Sequence, residues 1–196
     1  FGDAELTEAC AFVPCSKEDD LGEILNSLFG GSPERDAADD DSDDEPSSVS
    51  AYVKISDGCD RFCSFCAIPY IRGRYASRPY AEIEPEVLAL AKSGVREFVL
   101  IGQDTGIWGR DLGEGDTLAS LLTRLAKVVR PFGAWLRVLY LQPEGMTDEL
   151  VAAIRDTPEV LPYIDIPIQH CNDDILKAMN RRDTKESIRK VFHDLR

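Results

Sequence analysis

No stretch of this chain is apolar for the roughly 20 consecutive residues that a helix needs to cross a lipid bilayer. Its N-terminus also lacks the basic and then apolar pattern of a secretory signal peptide. These absences argue against a membrane protein and against secretion, and they favour the reducing cytoplasm. Because the first residue is Phe1 rather than methionine, we expect these 196 residues to be a fragment of a longer protein.

An excess of basic charge is also missing, and the formal net charge is −14. The acidity is local, because residues 1–50 hold 15 Asp and Glu against 2 Lys and Arg, whereas residues 51–196 hold 21 against 20. The second part is neither basic enough to predict nucleic-acid binding nor acidic enough to exclude it. Residues 34–50 are rich in Asp, contain no aromatic residue and have almost nothing to bury, which predicts a disordered acidic linker.

Histidine is rare, and the six cysteines do not form the two ligand pairs of a structural zinc site. Three thiols are nevertheless clustered, because Cys59, Cys63 and Cys66 stand in C-x3-C-x2-C spacing. Thiolates are the ligands that iron–sulfur clusters and zinc prefer. A [4Fe–4S] cluster held by three cysteines keeps one iron free for a small molecule. The alternative is zinc, completed by His170, Cys171 or a part of the protein outside this sequence.

Apolar segments that resemble strands alternate with helical ones after the linker. We predict strands at residues 51–56, 98–101, 135–140 and 163–168, and helices that start near Glu84, Asp116, Thr147, Asn172 and Thr184. This alternation favours βαβ units with a parallel sheet, and four right-handed crossovers in succession give part of an α/β barrel. The active site of such a barrel lies at the carboxyl ends of its strands, where the cysteine motif falls.

The cysteine motif, with Phe65 directly before its last cysteine, resembles the cluster motif of the radical S-adenosylmethionine (SAM) superfamily. The resemblance implies a partial barrel with outer helices, of which residues 51–196 would hold about four of six β/α units. It also implies that Cys59, Cys63 and Cys66 hold a [4Fe–4S] cluster whose open iron binds SAM. Electron transfer from the cluster then cleaves SAM to a 5′-deoxyadenosyl radical.

The same resemblance implies further residues of the SAM site. Gly102, Gln103 and Asp104 stand where the family usually has a Gly-Gly-Glu-like segment that binds the SAM amine, although a plain strand-to-helix turn is the alternative. Gln169, at a strand end, is expected to line the pocket, as is Phe65. Arg137 either pairs with the SAM carboxylate as a fork or faces a buried acid.

Other unusual residues have ordinary explanations. His170 could be a general base or a ligand, but a histidine at a strand end is more often just hydrogen-bonded. Cys171 is expected to be a small buried residue, and Trp108 and Trp135 to be core or pocket wall. No acid–base pair is demanded, because the cofactor carries the hard chemistry, and the sequence assigns no catalytic side chain.

Residues 58–79, GCDRFCSFCAIPYIRGRYASRP, resemble the methylthiotransferase branch of the superfamily. Within that branch, residues 101–109 (IGQDTGIWG) and 161–170 (LPYIDIPIQH) resemble the RimO-type enzymes. These modify the β-carbon of an aspartate in a small-subunit ribosomal protein. The MiaB-type enzymes, which modify tRNA, are the alternative, and a non-catalytic zinc-binding module is a more distant one.

The resemblance also implies parts that this sequence lacks. Family members carry an N-terminal domain with a second [4Fe–4S] cluster and a C-terminal domain that binds the substrate. Residues 1–33 are expected to be the tail of that N-terminal domain, but Cys10 and Cys15 stand too close together for its cluster and are interpreted as reduced thiols. We expect an electron donor such as a flavodoxin, and we expect the fragment alone to be inactive.

Anaerobic reconstitution distinguishes the cluster from zinc. We expect about four irons and four sulfides per chain, with a broad visible absorption band. Cys63→Ala should lose both, because two thiolates do not hold the cluster, whereas Cys10→Ala should keep them. The measurement is iron, sulfide and zinc analysis with an absorption spectrum, and one zinc per colourless chain would contradict the prediction.

Overall fold

The structure is a computed structural model that describes Glu23, Ser27 and residues 49–195. The chain divides into two units, Phe1–Asp44 and Glu45–Arg196. Within the first unit the description is confined to Glu23 and Ser27, which are helical. The second unit contains the sheet and helices described below.

Several expectations concern residues outside this description. Cys10, Cys15, the tail at residues 1–33 apart from Glu23 and Ser27, and the acidic linker up to residue 48 all lie outside the described residues. Among the helices of the described part, none combines the length and the apolar composition needed to span a membrane.

The second unit alternates strands and helices. Its strands are β1 (Ser50–Lys54), β2 (Ser56–Asp57), β3 (Ala76–Ser77), β4 (Glu97–Ile101) and β5 (Trp135–Val138). Its α-helices are α1 (Ile68–Ile71), α2 (Tyr80–Lys92), α3 (Leu118–Val129), α4 (Asp148–Asp156), α5 (Asp173–Ala178) and α6 (Lys185–Asp194). Short 3-10 turns lie at Thr105–Ile107, Arg130–Phe132 and Pro143–Gly145.

Strands β1, β4 and β5 form a parallel sheet in that order. Val53 pairs with Leu100, and Leu100 pairs with Val138, so these three side chains lie on one face of the sheet. All three are buried in the core with residues of α2, α3 and α4. The alternate residues, among them Val99 and Arg137, lie on the opposite face. The predicted α/β class, with parallel strands and outer helices, is confirmed.

Helix α3 supplies a large part of the core. The side-chain oxygen of Thr117 accepts from the N–H of Ser120, and the hydroxyl oxygen of Ser120 accepts from the N–H of Thr117. This reciprocal cap starts the helix one residue after the predicted cap, Asp116, which instead contacts Arg124 at 3.3 Å. The buried stripe of the helix is Leu118, Ala119, Leu121, Leu122, Leu125, Ala126 and Val129.

The remaining predicted helix starts differ in accuracy. Thr147, Asn172 and Thr184 are confirmed as N-caps, because each side chain accepts from the backbone N–H three residues later. Helix α2, in contrast, begins at Tyr80 and contains Pro85, so its predicted start near Glu84 is wrong. A proline inside a helix loses one backbone hydrogen bond, and burial of neighbouring apolar side chains offsets that loss.

The fourth predicted strand, residues 163–168, is wrong as a ladder strand in the described structure. A single bridge at Val160 joins this part of the chain to β5. Pro162 and Pro167 have no N–H to donate to a ladder, which explains why pairing does not continue. The segment still follows the sheet, because the carbonyl of Asp165 accepts from the backbone just after β5 at 3.1 Å.

Truncation of the α3 stripe tests this packing. Leu122 is fully buried, so we expect Leu122→Ala to lower the free energy of unfolding by about 3 kcal/mol through lost apolar contact and the cavity it leaves. Lys127→Ala, on the exposed side of the same helix, should change it by less than about 0.5 kcal/mol. Urea unfolding measures both, and equal losses in the two variants would contradict the assigned core.

Candidate functional site

The loop that carries the three clustered cysteines, residues 58–75, is closed at its base by β2 and β3. These strands pair in antiparallel fashion, with Ser56 opposite Ser77. Gly58 opens the loop with φ of 70°, and a β-carbon there would lie 2.1 Å from the carbonyl oxygen of Arg74. No other residue type fits so close to the backbone of the returning chain. We call residues 58–75 the cysteine loop.

The three cysteines of this loop line one cavity of about 170 Å³. Cys59 is buried, and the N–H of this residue donates to the carbonyl of Gly73 at 3.2 Å. Cys63 and Cys66 are partly buried, and a tight turn joins them through a 3.0 Å hydrogen bond from the N–H of Cys66 to the carbonyl of Cys63. Burial raises the pKa of the Cys59 thiol.

Several residues that line the cavity also carry buried polar atoms that have no partner in the protein. The lining includes Phe65, Gln103, Gln142, Gln169 and Arg181. The side-chain carbonyl oxygens of Gln103 and Gln142 and the Nε of Arg181 are buried without a hydrogen bond. Because buried polar atoms are nearly always paired, this arrangement fits a polar ligand in the cavity.

Three cysteines that line one cavity fit an iron–sulfur cluster. In the described residues, no group of three His, Cys, Asp or Glu side chains is close enough to hold one ion. The cysteines instead surround a shared cavity, and a [4Fe–4S] cluster is held in that way, with each thiolate on a different iron. Neither His170 nor Cys171, the candidates for completing a zinc site, lines this cavity.

These two residues have other environments. The Nδ1 of His170 accepts from the N–H of Asn172 at 3.0 Å, so the expectation that it is hydrogen-bonded is confirmed. Cys171 is exposed, and the expectation that it is buried is wrong, because the preceding segment passes the sheet without joining it as a strand. Trp108 is 1% exposed within the core, as expected.

Arg61 lies between the first two cysteines and carries a charge that is almost removed from water. Its side chain is 11% exposed, and its Nε donates to Asp104 at 2.6 Å. A second guanidinium nitrogen donates to the carboxylate of Glu144. Asp104 follows β4 and Glu144 follows β5, so this one side chain ties the cysteine loop to two strand ends.

The pKa shifts of this ion pair show what each partner requires. Burial would lower the pKa of Arg61, but the hydrogen bond and charge of Asp104, together with Glu144, raise it. Burial raises the pKa of Asp104, although the hydrogen bond and the charge of Arg61 oppose this increase. The guanidinium therefore stays charged, and the carboxylate depends on the guanidinium to be buried as an anion.

Only part of the predicted turn after β4 reaches the cavity. Gln103 lines it, whereas Gly102 and Asp104 do not. A β-carbon at Gly102 would lie 2.3 Å from the Oγ of Ser56, so glycine is needed there for close packing. Asp104 is fully buried beside Arg61, as described above.

Arg137 likewise lies outside the cavity lining. Its guanidinium donates twice to the same carboxylate oxygen of Glu97, at 2.6 and 2.8 Å, and lies 4.8 Å from the ring centre of Tyr163. The hydrogen bond from Arg137 lowers the pKa of Glu97, although partial burial opposes it. Of the two roles open to Arg137, the structure shows pairing with an acid, in this case a partly buried one.

The residues that the sequence did not identify are Arg61 and Arg181. Arg61 stands inside the cysteine motif, so a charge between two cysteines was the available signal. Arg181 had no local signal, because only the fold brings it to the cysteine loop.

The fold and the cavity together define a class of protein. The sequence profile of the Radical SAM superfamily matches residues 53–196. The chain therefore belongs to the radical SAM superfamily. A solved structure of TsrM from Kitasatospora setae, a radical S-adenosylmethionine methyltransferase with cobalamin and a [4Fe–4S] cluster bound, superposes with a TM-score of 0.58 at 16% identity. It covers 73% of this chain and 28% of TsrM, and at this identity the likeness shows the fold alone.

Curated relatives narrow the class further. Ribosomal protein uS12 methylthiotransferase RimO of Desulforamulus reducens is 46% identical over 149 residues, which are 76% of this chain and 33% of the relative. RimO of Geobacter sulfurreducens is 44% identical over 146 residues, which are 74% of this chain and 32% of the relative. RimO of Synechocystis is 49% identical over 131 residues, which are 67% of this chain and 29% of the relative. The chain thus spans about a third of the length of the curated relatives it matches.

Removal of the Arg61 charge tests the ion network. We expect Arg61→Met to lower the free energy of unfolding by about 3–5 kcal/mol at pH 7, because it leaves Asp104 buried without a counter-charge. Arg61→Met with Asp104→Asn should recover most of this loss. Arg74→Met, which removes an exposed arginine of the same loop, should cost less than about 1 kcal/mol.

Urea unfolding of these four proteins, wild type included, is the measurement. A double variant as unstable as Arg61→Met alone would show that the charge of Asp104 is not what Arg61 compensates.

Proposed function

We propose that Cys59, Cys63 and Cys66 hold a [4Fe–4S] cluster and that the cavity beside them binds SAM. The observation that carries this proposal is one cavity shared by three thiols in C-x3-C-x2-C spacing and three buried polar atoms without protein partners. Membership of the radical SAM superfamily supports the same pair of cofactors.

The polar atoms suit the methionine part of SAM, which carries a carboxylate and an ammonium group. The Nε of Arg181 is a donor on a permanent cation and suits the carboxylate. The side-chain oxygens of Gln103 and Gln142 are acceptors and suit the ammonium group. Phe65 and Gln169 complete the lining, and the Phe65 ring offers an apolar surface for the adenine.

The predicted residues outside the lining are assigned supporting roles. Asp104 holds Arg61 and thereby the cysteine loop, and Gly102 permits the close approach of β2 to the turn after β4. Arg137 holds Glu97 on the adjacent strand. We therefore do not assign it to the SAM carboxylate, for which Arg181 is better placed.

For the whole protein we propose methylthiotransfer to the β-carbon of an aspartate in ribosomal protein uS12. Support comes from RimO relatives that are 42% to 49% identical over most of the chain. When bound, the cofactors supply the radical chemistry that activates the target C–H bond, so that a methylthio group replaces the hydrogen.

The chain's own residues bind the cofactors, orient SAM and exclude water. The cysteines hold the cluster, the Arg61 network fixes their loop, and the glutamines with Arg181 orient SAM. Ile68 and Pro69 add apolar lining that limits the access of water to the cavity. No proton transfer by a side chain is required in this scheme.

The other partners are proposed from the same resemblance. They are a second [4Fe–4S] cluster on a domain outside this chain, an electron donor such as a flavodoxin, and a cytoplasmic ribosomal target. The chain covers about a third of its relatives, which is consistent with further domains. Modification of tRNA by a MiaB-type enzyme is distinguished by the chimera described below, and binding of zinc without catalysis by the metal analysis of the reconstituted chain.

Substitution of Arg181 tests the SAM site. Arg181→Lys keeps a cation beside Asp183, which lies 2.9 Å from the guanidinium, but it removes the Nε donor. We expect about tenfold weaker SAM binding to the cluster-loaded chain, the factor for one lost charge-assisted hydrogen bond. Arg182→Lys, at the exposed neighbouring position, should bind SAM as the wild type does.

Titration calorimetry under anaerobic conditions gives both dissociation constants. If Arg181→Lys bound SAM with wild-type affinity, the carboxylate assignment would be abandoned.

A chimera tests the proposed substrate. Residues 50–195 replace the corresponding segment of RimO from Desulforamulus reducens, and the chimera is assayed on uS12 and on tRNA by mass spectrometry. We expect one methylthio group on uS12, none on tRNA and neither product with Cys63→Ala, because the cluster would be lost. Modified tRNA with unmodified uS12 would favour the MiaB-type alternative.

A further inference from the structure

Asn180 contacts the cysteine loop from a distant part of the chain. Its side-chain nitrogen donates to the carbonyl oxygens of Arg61 and Phe62 at 3.2 and 2.8 Å. Next to it, the N–H of Ser64 donates to the carbonyl of Met179 at 3.1 Å. Three hydrogen bonds thus join the connection between α5 and α6 to backbone that lies within the C-x3-C-x2-C motif.

The backbone of Asn180 also ends helix α5. Its φ is 55°, its N–H donates to the carbonyl of Lys177, and the N–H of Arg181 donates to the carbonyl of Leu176. This pair of bonds is the Schellman motif, in which the left-handed residue is usually glycine. Glycine adopts this conformation with less strain than asparagine, so the end of the helix does not explain why residue 180 is an asparagine.

The hydrogen bonds from the side chain of Asn180 to the cysteine loop explain why this residue is an asparagine. Phe62 has φ of 48°, which is unfavourable for an aromatic residue, and its carbonyl accepts the shorter of the two bonds from Asn180. The amide of Asn180 therefore stabilises a strained turn between Cys59 and Cys63. The same helix end places Arg181, the next residue, at the cavity.

We infer that Asn180 is a positioning residue, which holds the cysteine loop in the arrangement that three thiolates need to bind the cluster. The inference rests on the proposed function for its purpose, but the contact itself is tested without any cofactor. Asn180 acts through the carbonyls of Arg61 and Phe62 and is not assigned a contact with cluster or SAM.

Asn180→Gly separates the two roles, because glycine keeps the left-handed helix end and removes only the side chain. Hydrogen exchange of the cofactor-free chain, read by mass spectrometry, should show amides of residues 60–66 exchanging about tenfold faster, the factor for two lost hydrogen bonds of modest strength. Amides of α5 should exchange at the wild-type rate or more slowly. Asn180→Asp should loosen the loop further, because it turns a carboxylate oxygen toward two carbonyl oxygens.

Asn172→Gly is the matched control, because it removes the N-cap at the other end of α5, where the side chain of Asn172 accepts from the N–H of Ile175. It should leave exchange in residues 60–66 unchanged. Equal loop exchange in wild type and Asn180→Gly, or equal acceleration by Asn172→Gly, would overturn the inference.

The reconstituted chain gives a second readout. The electron paramagnetic resonance spectrum of the reduced cluster should change in Asn180→Gly and not in Asn172→Gly, and identical spectra in all three proteins would contradict a positioning role. If the wild-type chain binds no cluster, the proposed function fails, whereas the exchange result still decides whether Asn180 holds the loop.

Discussion

The charge of Arg61 lies between Cys59 and Cys63, and it can be buried there only because carboxylates from two different strand ends reach it. An isolated buried ion is so unfavourable that the loop, the turn after β4 and the turn after β5 have to be in place together. The position of the cysteines is therefore not a local property of their eight-residue motif. It is set by the sheet, through side chains that carry opposite charges.

The apolar core and the polar candidate site lie at different parts of the sheet. One face packs Val53, Leu100 and Val138 against three helices in the hydrophobic core. Polar side chains follow the carboxyl ends of the same strands, where the backbone leaves the ladder and side chains are free to converge. Gln103 and Gln142 follow β4 and β5, both line one cavity, and each has a buried side-chain oxygen without a hydrogen bond.

The sequence predicted what depends on local patterns and missed what depends on tertiary contacts. Thr147, Asn172 and Thr184 were recognisable as caps because capping is decided within four residues. The cysteine cluster was recognisable from its spacing, and Phe65 was singled out by resemblance to the superfamily motif. The strand at residues 163–168 was overpredicted because Pro167 within it and Pro162 just before it have no N–H to donate to a ladder. Arg181 and Asn180 were missed because nothing near them in sequence indicates that they meet the cysteine loop.

The bond between Asn180 and Phe62 closes a stretch of 118 residues. During synthesis all three thiols leave the ribosome long before the residue that clamps their loop, and the chain elongates through β4, α3, β5 and α4 in between. Until then no contact from the end of α5 supports the motif, and the entropy of closing so long a stretch is recovered only when α5 docks. A nascent chain that stops before residue 180 therefore contains all three cysteines and lacks the side chain that holds their loop.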